Sequence, residues 1–210
     1  MSAHHGHDHS HAVVTESNAK KLTFALILTS TFLVIEVIAG FITQSLALLS
    51  DAAHMFTDAA ALAIALVAIK VGKLPADSKR TFGYQRFEIL AALFNALMLF
   101  VVAIYILYEA YQRFSQPPDI QSGGMMIVAT IGLVINLISM KILFSSSQES
   151  LNIKGAYLEV LSDAVGSVGV IIGAVIIYFT GWMWVDTLIA VCIGFWVLPR
   201  TWILLKQSIN

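Results

Sequence analysis

The stretch LALLSDAAHMFTDAAALAIALVAIKV, residues 46–71, decides how this chain is read. A transmembrane helix needs about 20 mostly apolar residues. This run exceeds that length, and its only polar side chains are Ser50, Asp51, His54, Thr57, Asp58 and Lys70. Asp51, His54 and Asp58 are spaced by three and four, which puts them on one helical face. A charge at the centre of a bilayer costs about 2.5–3.5 kcal/mol on insertion scales. A stripe of two carboxylates and an imidazole at such a depth therefore needs a partner.

The rest of the chain is of the same kind. It is 58% hydrophobic and 12% charged, where soluble domains carry about 25% charged residues. Five further apolar runs are expected to span: roughly Leu22–Thr43, Phe87–Tyr111, Gly123–Phe144, Gly155–Phe179 and Met183–Leu204. The fold predicted is an all-α membrane protein of six transmembrane helices. The polar start, residues 1–19, reads as a disordered leader, 20–206 as the transmembrane domain, and 207–210 as the start of a further cytoplasmic region. That start lacks the short apolar core of a cleavable signal peptide.

Lys and Arg set the orientation of such a protein. Eleven of the twelve fall at the termini, at the second-to-third connection or at the fourth-to-fifth; Arg113 alone falls on the opposite side. Both termini are therefore expected in the cytoplasm. No basic block points to nucleic acid, and the single cysteine, Cys192, excludes a disulfide framework or a thiolate cluster.

The fifth run supplies a counterpart to the stripe in the second. Glu159 and Asp163 are again four apart. His54 and Asp58 with Glu159 and Asp163 make two facing i,i+4 pairs, one nitrogen and three oxygen ligands that can surround a divalent ion tetrahedrally, as zinc prefers. Cobalt(II) and cadmium also suit the set, the lack of sulfur argues against copper(I), and magnesium prefers six oxygens. No Lys or Arg lies at comparable depth except Lys70 and Lys141 near span ends, so salt bridges do not explain the acids. Asp51 is read as a supporting residue and Glu36 of the first run as lining the ion's path. Asn95 and Asn136 are expected to hydrogen-bond between helices, Gly169 and Gly173 to allow close packing, and Glu109 and Asp186 to be solvated near the outer boundary. His4, His5, His7, His9 and His11 form a tract that can capture metal in an unfolded chain.

Three stretches carry a resemblance: Ser45-Leu46-Ala47-Leu48-Leu49-Ser50-Asp51-Ala52-Ala53-His54-Met55-Phe56-Thr57-Asp58, Phe82-Gly83-Tyr84-Gln85-Arg86-Phe87-Glu88 and Gly155-Ala156-Tyr157-Leu158-Glu159-Val160-Leu161-Ser162-Asp163. Together they resemble the cation diffusion facilitators, above all the bacterial branch that confers cobalt, zinc and cadmium resistance. The resemblance implies a homodimeric exporter of the bacterial inner membrane that exchanges metal for protons, with His54, Asp58, Glu159 and Asp163 as ligands. Many zinc exporters of the family have His where this chain has Glu159. Members usually continue into a cytoplasmic dimer-forming domain beyond the sixth helix, whereas this sequence stops at Asn210.

A proton-coupled cycle fits these residues. Ligands must be deprotonated to hold metal, and histidine exchanges a proton near its reference pKa of about 6.5. At least one carboxyl is expected to carry a second proton. Two rival classes differ in their signatures. An intramembrane metalloenzyme would show HExxH or an acid–base dyad beyond the proposed ligands, and neither is present; the chain is read as no enzyme. A membrane metal sensor or assembly subunit would bind the ion without moving it.

Overall fold

The computed structural model describes the backbone of residues 16–72, 83–147 and 151–209, and the side chains of residues 20–60, 63, 97–147 and 153–196. Six helices run through it: α1 (Glu16–Thr43), α2 (Leu46–Gly72), α3 (Gly83–Ser115), α4 (Ser122–Ser147), α5 (Leu151–Thr180) and α6 (Trp184–Ile209). The described residues contain no strand. Each helix covers one of the six spans predicted. Most boundaries lie within a few residues, but α1 starts at Glu16, inside the expected leader, and α3 starts at Gly83 rather than Phe87. The bilayer limits the apolar run, not the helix. Glu16, Ala19, Lys20 and Lys21 are good helix formers, and no Gly or Pro among residues 16–21 stops propagation.

Among the described residues the surface is strongly apolar, and several charged and polar groups are buried beside the apolar core. Ile27, Ile42, Val165 and Phe179 are exposed, while Glu36, Asp51, Asn136 and Asp163 are buried. Hydrocarbon is the solvent that suits such a surface. Among the described residues, four stretches are long and apolar enough to cross a membrane: Lys20–Thr43, Leu97–Ser115, Ser122–Ser147 and Ile153–Thr180. The described side chains cover only part of α2 and α6.

Helix α4 packs most extensively on α5, α1 on α2 and α3 on α6, with α2 also touching α3, α5 and α6. With no water to expel, close van der Waals contact holds the helices together. A Cβ on Gly132 of α4 would stand 2.5 Å from Cζ of Phe32 on α1, so the missing side chain is what admits the ring. Of the expected GxxxG pair, Gly173 is pressed against Ile189 and Val185 of α6, but Gly169 has open space where its Cβ would be. One glycine of the two makes the contact.

Where α1 stops and α2 starts, at what is here named the far end, the chain reverses in a few residues. Gln44 is left-handed (φ 58°), and the Ser45 N–H donates to the Gly40 carbonyl at 3.1 Å, as in a Schellman cap. The first turn of α2 then needs acceptors for its free N–H groups. Asp186, in the first turn of α6, supplies them. Its carboxylate accepts from Leu46 N (2.6 Å), Ala47 N (3.2 Å) and Ser45 Oγ (2.6 Å). Arg113 near the end of α3 stands 3.8 Å from Asp186, donates to the Gln44 carbonyl at 2.6 Å and pairs with Glu109 at 3.0 Å. The expectation of solvated acids is corrected here. Asp186 is wholly buried (0% exposed) and Glu109 is held in an ion pair, because a helix N-terminus attracts negative charge and that carboxylate brings its own cation.

Candidate metal centre

Helix α2 presents His54 and Asp58 on one face because they are one turn apart, and α5 brings Asp163 to the same level. His54 Nε2 lies 3.6 Å from Asp58 Oδ2 and 3.7 Å from Asp163 Oδ1. One ligand atom from each of the three lies within 4.8 Å of the others, and all three residues are buried. Ligands at about 2.1 Å from a tetrahedral zinc stand about 3.4 Å apart. The two His54 separations already approach that edge length, and the three ligand atoms together lie within 4.8 Å, so side-chain adjustment alone brings them onto an ion.

A small cavity on the other side of His54 is lined by Ser50, Ala53, Leu99, Ala103, Ile106 and Gly194, and has room for about one water molecule. Two hydroxyls bond to backbone beside the centre. Ser50 Oγ donates to the Ala190 carbonyl of α6 at 3.1 Å, and Thr57 Oγ1 donates to the His54 carbonyl at 2.7 Å.

The structure brings together three of the four ligands expected from sequence. Glu159 lies one turn from Asp163 on α5, is half-buried, and stands outside the three-residue group. Asp51 lies one turn from His54 toward the far end, and Glu36 of α1 faces it. Glu36 is within electrostatic reach of Asp51 and Asp163, and Asp51 within reach of Glu36 and Asp58. His4, His5, His7, His9 and His11 lie outside the described residues, as does the side chain of Asn95.

Asn136 departs from expectation. It is fully buried on α4, yet neither its Nδ2 nor its Oδ1 meets a hydrogen-bond partner. Ser139, one turn away, is also buried with an unpartnered hydroxyl. Burial without bonding is costly in hydrocarbon, so these two mark a polar face of α4 instead of a helix–helix bond. Sequence reading missed Ser139, since a serine in an apolar run commonly back-bonds to its own helix. It also missed Gly166, whose lack of a Cβ makes room for the Asp51 carboxylate: a Cβ there would lie 2.8 Å from Asp51 Oδ1.

Comparison with known proteins adds to this geometry. The family model of the cation efflux transmembrane domain matches residues 22–210. The chain is 66% identical over 210 residues to the metal cation efflux system protein CzcD of Cupriavidus metallidurans, an alignment covering 100% of this chain and 65% of that protein. It is 44% identical over 207 residues to a cadmium, cobalt and zinc/H(+)-K(+) antiporter of Bacillus subtilis, covering 98% of this chain and 65% of the relative. To the zinc transporter ZitB of Escherichia coli it is 43% identical over 211 residues, covering 100% of this chain and 67% of the relative. The chain thus spans about 65% of the length of the first two relatives.

Proposed function

The chain belongs to the cation efflux family, and from that premise we propose that it carries zinc, and also cobalt(II) and cadmium, out of the bacterial cytoplasm across the inner membrane in exchange for protons. His54, Asp58 and Asp163 hold the ion, and Glu159 joins them as the fourth ligand. Both termini face the cytoplasm, the far end faces outward, and the working unit is a homodimer. The leader histidines capture ions near the cytoplasmic mouth.

The observation that carries the reading is the buried group of one imidazole and two carboxylates within 4.8 Å of one another. With His54 neutral, Asp58 and Asp163 bring two negative charges, which offset a divalent cation, and Glu159 brings a third, which leaves one carboxyl to hold a proton. When the ion leaves, those charges stay buried in a medium that penalises them by several kcal/mol each. Protons arriving from outside neutralise the carboxylates and compete for the imidazole nitrogen, and the loaded and protonated states exchange as the helices rock. Transport and proton return are then two halves of one charge balance, and the chain needs no catalytic chemistry.

Reconstituted vesicles test the proposal. Zinc loaded on one side should drive proton movement, and Asp163→Ala should abolish both fluxes while the protein remains folded. Zinc binding without flux in the wild type would make the chain a sensor or an assembly subunit instead.

A further inference from the structure

Glu36 and Asp51 are not needed to complete the four-ligand centre, yet each is almost wholly buried, 1% exposed. Apart from the contact the two carboxyls make with each other, no N–H or O–H group donates to either oxygen of Asp51 or to Oε2 of Glu36. None of the ion pairs among the described residues involves them. Two carboxyl groups face each other in a dry interior, hydrogen-bonded to one another but paired with no basic side chain. Their surroundings are shaped for them. Three helices meet here, and Gly166 of α5, one turn beyond Asp163, leaves the notch that receives Asp51 Oδ1.

The pair also has a definite place along the membrane normal. Asp51 precedes His54 by one turn, so it lies about 4.5 Å nearer the far end at 1.5 Å rise per residue. Glu36 lies within electrostatic reach of both Asp51 and Asp163. An ion leaving the centre outward meets these oxygens next. Oxygen-only ligation lacks the imidazole that favours zinc, so it holds a borderline cation less tightly. A path that conducts needs sites that are attractive enough to enter and weak enough to leave.

We propose that Glu36 and Asp51 form a second, weaker divalent-cation site made of carboxylate oxygens alone, one helical turn outward of the His54–Asp58–Asp163 centre. The direction of passage rests on the transport reading above; the existence of the site does not. A cation bridging the two carboxylates displaces the proton they otherwise share, and water completes its coordination.

The test is cadmium binding to the full chain in detergent, with His4, His5, His7, His9 and His11 changed to Ala so that the leader does not titrate. Cadmium-113 NMR distinguishes all-oxygen from mixed nitrogen–oxygen ligation. Two ions per chain are expected, one of each kind. Glu36→Gln with Asp51→Asn, which preserves shape, should remove the all-oxygen signal and weaken the second dissociation constant by about tenfold or more. His54→Ala with Asp163→Ala should remove the mixed signal and leave the other; if both signals persist there, the primary centre is misassigned and the second site stands separately. A single cadmium per chain, the result for a pair that holds only protons, overturns the proposal, as do two signals that survive the Glu36 and Asp51 changes. If that double variant fails to fold, Gly166→Ala replaces it, because its Cβ would crowd Asp51 Oδ1. An all-oxygen signal unmoved by Gly166→Ala also overturns the proposal.

Discussion

Replacing Asp186 with Ala should destabilise the protein more than any other single change at the far end. The carboxylate accepts from Leu46 N, Ala47 N and Ser45 Oγ and faces Arg113, all without solvent. Ala leaves the two backbone N–H groups orphaned, and each such buried donor costs about 1–3 kcal/mol. Ser45 keeps a role, since its Oγ also accepts from Leu48 N at 3.1 Å. Arg113 retains Glu109 and the Gln44 carbonyl, so it adds less than a fully stranded charge would. The sum is about 3–5 kcal/mol, the range found when one partner of a buried ion pair is removed. At about 2–4 °C per kcal/mol for a domain of this size, the apparent Tm in detergent should fall by about 6–20 °C. Asp186→Asn keeps one acceptor oxygen and should lose about half as much. Thermal unfolding followed by circular dichroism, at one scan rate because membrane proteins unfold irreversibly, reads both. An Ala variant within about 1 °C of wild type would refute the idea that this carboxylate caps α2.

Gly132→Ala should cost about 1–3 kcal/mol by overpacking against Phe32, and Phe32→Leu in the same chain should recover part of the lost Tm. Glu159→His should change the ratio of zinc to cobalt flux in vesicles by replacing an oxygen ligand with nitrogen; an unchanged ratio would remove Glu159 from the ligand set. Zinc affinity of the leader-free centre should fall as pH is lowered, because His54 must be neutral to ligate and protons compete for the same atoms. Titration calorimetry at several pH values measures this, and a flat profile would exclude His54 as a ligand.

The six helices were legible because hydrocarbon imposes long apolar runs, and the polar stripe of α2 was legible because a helix repeats every three to four residues. His54 and Asp58 could be paired from spacing alone. Meeting Asp163 across the α2–α5 contact could only be inferred, since nothing local in either run fixes the register between two helices. The far-end knot was misread for the same reason. Asp186 and Arg113 are 73 residues apart in sequence, and each looks like an ordinary boundary charge until the packing of α3 and α6 brings them together. Asn136 and Ser139 show the opposite limit: their burial follows from the apolar run, but their lack of partners is a property of the assembled interior.

The far-end knot also fixes where α2 can swing. With its first turn tied to α6 and, through Gln44, to α3, the helix behaves as a lever hinged near Leu46. His54 lies about 12 Å along that lever and Asp58 about 18 Å, whereas Asp51 is only about 7.5 Å from the hinge. A tilt of about 10° moves Asp58 by about 3 Å and Asp51 by little more than about 1 Å. Gripping and releasing an ion therefore requires only a small rotation at Asp58, and the residue nearest the fulcrum hardly moves while it happens.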